Sequence, residues 1–334
     1  MAARLPLALL KDVSRSFYLT LRVLPATVRP QIGVAYLLAR TSDTIADTDL
    51  LPLEQRLQAL NAFRVRIVGG SSSPLKLETM ISQQKSTAER ILLQECEISL
   101  GMLDSFDEGS LGLVRKVLAT IISGQELDLK RFAGAAENKV VALRTDEELH
   151  DYTYRVAGCV GEFWTKICRA YVFPKAKLDD QTVLEESVRF GKGLQLVNIL
   201  RDLPLDLRLG RCYLPEEELG RHGLEPQDLL DPINEPRLRP LYDQYLNRAQ
   251  EHLVAGWNYT NALPWRRMRV RVACAWPVLI GLQTIQRLRK EHVLDPQNRI
   301  KITRQEVRSW IIRSILYYPL PRRWRMLVEE ATGN

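Results

Sequence analysis

The sequence predicts an all-α protein folded as one domain over residues 1–334. Three observations carry that prediction. Apolar residues recur at three- and four-residue steps through most of the chain, the period of a helix with one buried face. The composition is rich in Leu and poor in Gly, with 18 glycines in 334 residues, which favours helix over sheet. No segment alternates apolar and polar side chains for long enough to make a strand.

The periodic segments, in order, are 28–47, 53–69, 77–104, 110–124, 146–172, 184–205, 238–260, 266–292 and 303–317. The first carries VAYLLA and ends in RTSDTIAD. The second closes on Gly69-Gly70-Ser71-Ser72-Ser73-Pro74, a run that cannot continue a helix. The fifth stops at Phe173-Pro174, the seventh follows Pro232 and Pro236, and the eighth follows Pro264. Connections are short, composition does not shift along the chain and no fixed-period repeat occurs, so one helical domain is the economical expectation.

With 46% hydrophobic residues the chain can bury a large core, and its net charge of +7 points to anionic ligands. Diphosphates, lipid headgroups and nucleic acid all satisfy that charge. The Lys and Arg residues are dispersed and match no nucleic-acid motif, so no nucleic-acid partner is expected. Five cysteines without a CxxC pair read as buried thiols of a reducing compartment, and four scattered histidines argue against a His-rich metal site. The N-terminus lacks a signal-peptide pattern, and no window reaches the roughly 18 unbroken apolar residues of a membrane span. The nearest, SWIIRSILYYPLPRRWRMLV, is broken by Arg313, Pro319 and Pro321, and its basic flank suits an interfacial helix or a packed terminal helix with a basic edge. A cytoplasmic protein with peripheral membrane contact is the expectation.

Two acidic motifs stand out. In RTSDTIAD, Asp43 and Asp47 are four apart and so share a helix face, where like charges repel by a few tenths of a kcal/mol. Alone, the pair reads either as an exposed acidic helix end, with Arg40 one turn earlier, or as half of a cation site. In QLVNILRDLPLD, the residues Gln195, Asn198, Asp202 and Asp206 step by three, four and four. They form one polar stripe opposite Leu194, Val197, Ile199 and Leu200. Asn and Asp are poor helix formers, so such a row needs a ligand. Hard oxygen donors on two helices suit Mg²⁺, which keeps waters and takes substrate phosphate. Two such pairs facing each other would clamp a diphosphate and assist ionisation of an allylic diphosphate. Pro204, inside the second motif, is expected to tighten or end its helix and to shift Asp206.

With these residues in view the chain resembles the squalene/phytoene synthase family of head-to-head isoprenyl diphosphate synthases. SRSFYLTLRVLP (14–25), ARTSDTIAD (39–47), YTYRVAGCVGEF (152–163) and LQLVNILRDLPLDLRLGRCYLP (194–215) match family blocks in order. The resemblance implies the isoprenoid synthase fold, a helical bundle around a central cavity. It implies that Asp43, Asp47, Asn198, Asp202 and Asp206 hold Mg²⁺ and the diphosphates, with Gln195 lining the same site. Arg40 and Arg201 take positions that contact diphosphate or order the carboxylates, and Arg208 and Arg211 cover the phosphates. Ser14, Arg15, Ser16 and Phe17 approach the diphosphate and, in reductive members, the nicotinamide. Tyr152 matches the active-site tyrosine, although alone it reads as a core residue. Gly158 and Gly161 allow close approach of a second helix or of a prenyl chain.

Within the family, DTIAD and the AWPVL segment at 275–279 look most like squalene synthases, and RIKITRQEV resembles their NADPH-phosphate segment, making Lys301 and Arg304 cofactor contacts. Trp276 stands where that pattern has Arg, and no apolar anchor of the eukaryotic kind is seen. The implied reaction joins two farnesyl diphosphates through presqualene diphosphate and reduces the product to squalene with NADPH. Phytoene, dehydrosqualene or presqualene diphosphate synthesis without reduction is the alternative. A non-catalytic binding homologue is a third reading, which would not require the metal ligands to be present. No oligomeric state is implied.

Overall fold

A computed structural model describes residues 5–14, 17–298 and 300–333 of the chain. Contacts gather into two compact units, one comprising 1–130 and 163–175 and the other 131–162 and 176–334. Both are helical, as expected.

The first unit holds α1 (Leu7–Ser14), α2 (Phe17–Val23), α3 (Arg29–Ala46), α4 (Leu53–Val68), α5 (Glu78–Gln83), α6 (Thr87–Gln94), α7 (Cys96–Gly101) and nearly all of α8 (Glu108–Arg131). Helix α3 packs on α4, α6 and α7. Val34, Leu37, Leu38 and Ile45 of α3 and Leu60, Phe63 and Ile67 of α4 are fully buried. Segment 77–104, expected as one helix, is three short helices and a 3-10 turn at Met102–Ser105. The interruption has a local cause: Gln84 is extended and the Ser86 hydroxyl accepts the Glu89 N–H, starting a new helix.

The second unit contains α9 (Asp146–Thr153), a π-helical turn at Tyr154–Gly158, α11 (Asp180–Arg208), α12 (Glu216–Arg221), α13 (Glu235–Ala262), α14 (Met268–Leu288), α15 (Arg304–Tyr317) and α16 (Pro321–Thr332). Helix α10 (Cys159–Tyr171) begins in this unit and ends in the first. Helix α11 packs along α13, and α13 along α14. Two glycines let backbones meet: a Cβ on Gly161 would lie 1.9 Å from the Ser187 carbonyl oxygen, and one on Gly191 would lie 2.2 Å from that of Ala157. Helix approach is therefore the use of Gly161. Gly161→Ala is expected to force the two backbones apart and lower stability by about 1–3 kcal/mol, read as a reduced Tm in thermal melts. An unchanged Tm would contradict the close packing.

Two expectations need correction. A two-residue parallel ladder exists, β1 (Val141–Ala142) with β2 (Arg211–Cys212), too short to leave a periodic signal. Pro204 does not end its helix; α11 runs on to Arg208. A proline removes the N–H that would reach the carbonyl four residues back. That carbonyl, of Leu200, instead accepts a 2.9 Å hydrogen bond from the hydroxyl of fully buried Tyr242 on α13. The five cysteines are free and buried, and burial pushes the Cys96 and Cys212 thiols up to about 11 and about 12. Among the described residues no helix is long and apolar enough to cross a membrane.

Candidate active site

The first aspartate pair stands at the C-terminal end of α3. Asp43 lies in its last turn and Asp47 caps it, its N–H bonded to the Asp43 carbonyl at 2.8 Å. No basic residue occupies that turn. The helix dipole leaves about half a negative charge at a C-terminus, so two carboxylates there create a strongly negative point. Arg40 offsets little of it: one guanidinium nitrogen is 3.8 Å from Asp43, while the other pairs with Glu89 at 2.5 Å. The Gln125 amide of α8 donates to Asp43. Burial and the Asp47 charge push the Asp43 carboxyl up to about 7, against the lowering pull of Arg40 and Gln125. The side chain keeps 45% of its exposure, so water still reaches the carboxylate.

The second pair repeats the arrangement at the end of α11. Gln195, Asn198, Asp202 and Asp206 all retain accessible surface, while Leu196, Val197, Ile199, Leu200 and Leu203 around them are buried. The polar stripe read from the sequence is therefore real. Arg201 clasps Asp202 with both arms, Nε to one oxygen at 2.9 Å and a terminal nitrogen to the other at 2.5 Å. This pair orders the carboxylate and leaves part of its acceptor capacity open. Arg208 is exposed in the last turn and Arg211 is half-buried in β2.

The donors fit a hard divalent cation. Each unit offers two carboxylates at a helix C-terminus, and the Gln125 carbonyl oxygen beside Asp43 is buried with no hydrogen-bond donor, an acceptor that a cation's water shell can satisfy. Among the described residues no group of three or more His, Cys, Asp or Glu side chains is clustered for a metal. A cation held here would take the rest of its shell from water and a ligand phosphate, as Mg²⁺ usually does.

Tyr152 is buried on α9 and stacks on Tyr213 with ring centroids 4.8 Å apart. Its hydroxyl donates to that of Tyr213 at 3.4 Å, and Tyr213 meets Phe132 edge-on at 5.2 Å. The β1–β2 ladder sets Tyr213, which follows β2 directly. Gly210, before β2, has φ +74°, and its Cβ would fall 2.4 Å from Ala136 backbone atoms, so only glycine serves there. Behind the π turn, Lys192 Nζ lies 2.6 Å from His150 Nε2, and burial brings the lysine down to about 8. Three residues here go beyond the sequence expectations: Tyr213 lies within LQLVNILRDLPLDLRLGRCYLP, and Gln125 and Lys192 carry no spacing signal.

Other expected site residues make contacts of their own. The Ser14 hydroxyl is buried and spent on the Leu10 carbonyl, and Phe17 stacks on Tyr36 at 4.6 Å. Arg15 and Ser16 lie outside the described residues. Lys301 and Arg304 are exposed at the start of α15. Trp276 is buried and donates to Ser314 at 2.8 Å, joining α14 to α15.

The chain is similar to known proteins in both sequence and fold. The family model for squalene/phytoene synthase matches residues 10–306. The chain is 28% identical to a squalene synthase of Schizosaccharomyces pombe across 92% of its own length and 64% of that protein's. It is 28% identical to a presqualene diphosphate synthase of Zymomonas mobilis, covering 72% of this chain and 70% of the relative. It spans 43% of the length of a bifunctional lycopene cyclase/phytoene synthase of Blakeslea trispora, at 26% identity over 82% of this chain. A ligand-bound structure of TcSQS has the same fold, with TM-score 0.75 and 20% identity over 98% of this chain and 96% of that one. By the family match along nearly the whole chain, the protein belongs to the squalene/phytoene synthase family.

Proposed function

We propose that the chain, acting over residues 1–334 as one isoprenoid synthase domain, is a squalene synthase-type transferase. It joins two farnesyl diphosphates head to head into presqualene diphosphate and reduces that product to squalene with NADPH. The observation that carries the reading is the pair of DxxxD motifs, each near the C-terminus of a long helix, the first with no basic residue in its last turn and the second ordered by Arg201. Asp43 and Asp47, and Asn198, Asp202 and Asp206, are the residues to hold Mg²⁺, with Gln195 beside them. Bound Mg²⁺ supplies charge that offsets the pyrophosphate as it departs.

In the first half-reaction the C1–O bond of one substrate breaks and its electron pair leaves with pyrophosphate. The double bond of the second substrate attacks C1, and loss of a proton closes the cyclopropane. Arg201 keeps Asp202 oriented throughout. The Tyr152 ring faces cationic carbon favourably, and the Tyr152–Tyr213 hydroxyl contact offers a route for the proton. In the second half-reaction the remaining C–O bond breaks, its electron pair leaves with pyrophosphate and the ring rearranges; bound NADPH would supply the hydride that quenches the cation. Arg208 and Arg211 are the residues to cover phosphate; the family resemblance alone assigns Ser14, Arg15, Ser16 and Phe17 to the phosphate and Lys301 and Arg304 to the cofactor. The protein works in the cytoplasm with peripheral contact to a membrane.

A second reading stops at presqualene diphosphate. Trp276, locked into the α14–α15 contact where the squalene synthase pattern has Arg, favours it, as does the relative of that name. Incubation with farnesyl diphosphate and Mg²⁺, with and without NADPH, separates the two. Squalene formed only with NADPH is the expected result. The same product under both conditions would overturn the reductive assignment, and exclusive use of geranylgeranyl diphosphate would move it to phytoene synthesis.

A further inference from the structure

Helix α11 carries a lysine where the chain is packed most tightly. Lys192 is only 5% exposed and stands between two glycines. Both glycines let a neighbour close in. A Cβ on Gly191 would lie 2.2 Å from the Ala157 carbonyl oxygen of the π turn, and one on Gly193 would lie 2.9 Å from His252 Cβ on α13. The lysine is held between them, with Nζ 5.8 Å from the centroid of the Tyr154 ring. Taking a charged group out of water is costly unless the group is paired. Among the described residues, however, the Lys192 ammonium enters no ion pair, and its one hydrogen-bond partner is His150 Nε2 at 2.6 Å. An ammonium has three N–H groups, so donor capacity is left over.

Helices α9, α11 and α13 add further cations. Arg189, exposed one turn before Lys192, sets Nε 3.4 Å from His252 Nδ1 and a terminal nitrogen 3.5 Å from the Glu251 carbonyl oxygen. The carboxylates around them are spent elsewhere. Asp146 accepts from Arg248 at 2.6 and 2.8 Å and from the Tyr245 hydroxyl at 2.9 Å. Asp151 accepts from Arg155 Nε with both oxygens at 2.9 Å, and Glu186 bonds to Asn258. Burial, then the charges of Arg189, Lys192 and Arg248, pushes the His252 imidazole down to about 4; burial and Lys192 lower that of His150 as well. Like charges are crowded here with no counter-ion of their own.

We propose that Lys192, His150, His252 and Arg189 form a binding site for the phosphoryl group of a small anion, either inorganic phosphate or a phosphate monoester. Phosphoryl oxygens accept charge-assisted hydrogen bonds from several donors at once. A small group is required, because the recessed Lys192 ammonium is closed to anything broad. Lys192 precedes Asp202 by ten residues, about 15 Å along a helix axis, so an anion held here is separate from a diphosphate held at the second DxxxD motif. The site needs no metal, and its failure would leave the proposed reaction standing.

The test is isothermal titration calorimetry of the full chain with inorganic phosphate and with glycerol 3-phosphate, in EDTA at fixed chloride. Saturable binding of at least one of them is expected; tighter binding of the ion or of the ester identifies the source. Lys192→Met, which keeps the apolar stem, and Arg189→Gln, at an exposed position, should each weaken it by about tenfold or more. Circular dichroism melts check that both variants fold, and Arg189→Gln carries the test alone if Lys192→Met does not. Sulfate, whose charge is constant with pH, should bind about tenfold tighter near pH 6.5 than near pH 9. The sign follows from Lys192, which burial brings down to about 8 and which regains its proton below that pH. No saturable binding, equal sulfate binding at both pH values, or an Arg189→Gln variant indistinguishable from the parent would overturn the proposal. So would phosphate binding abolished by Arg208→Ala/Arg211→Ala, which would place the anion at the end of α11 instead.

Discussion

Replacing Asp202 by Asn is expected to lower turnover of farnesyl diphosphate by about a thousandfold or more while leaving the helical fold in place. The size follows from the proposed role: removing a metal carboxylate forfeits several kcal/mol of stabilisation of the leaving group, and each 1.36 kcal/mol is tenfold in rate. The fold survives because Asp202 is 39% exposed and its partner Arg201 31%, so neither is stranded in a dry interior. Asn keeps one oxygen for Arg201. Asp43→Asn should act alike, since an amide oxygen still accepts from Gln125. Steady-state product formation and far-ultraviolet circular dichroism on the same samples check both halves. Turnover unchanged in both variants would refute the metal assignment.

The second large effect concerns Tyr242. Tyr242→Phe deprives the Leu200 carbonyl of its donor, and a buried unsatisfied carbonyl costs about 1–3 kcal/mol. This carbonyl belongs to the turn of α11 that carries Asp202, so activity should fall with stability. The cause can be isolated. Pro204→Ala restores the backbone N–H that Leu200 lacks, so adding it to Tyr242→Phe should recover most of the lost stability. Chemical denaturation of the parent, both single variants and the double variant closes the cycle. Purely additive losses would show that Tyr242 does not stand in for the missing amide.

Helix identity was readable wherever one face is buried over several turns, as in α3, α4, α11, α13 and α14. Boundaries failed where a single local bond decides them. The Ser86–Glu89 cap that splits 77–104 was present in the letters as STAE, and Pro321 at the start of α16 was read as a breaker although proline suits a first turn. Pro204 lies within a helix for a different reason: its tolerance depends on Tyr242, distant in sequence. The polar stripe of α11 was legible because spacing along one helix fixes its face. Gln125 and Tyr213 were not, because their places beside Asp43 and Tyr152 come from tertiary packing and a two-residue ladder.

The π turn at Tyr154–Gly158 has a consequence for the length of its segment. At about 100° per residue, nine α-helical steps would put Gly161 about half a turn away from Tyr152. A π turn takes up about one residue without advancing the rotation, which brings Gly161 back to within about 80° of it. The stacking of Tyr152 on Tyr213 and the seating of Gly161 on Ser187 are thereby kept in phase. Deleting one residue from this turn would conserve every named side chain and still put the two contacts out of step, so here the chain is constrained by its count of residues as much as by their kind.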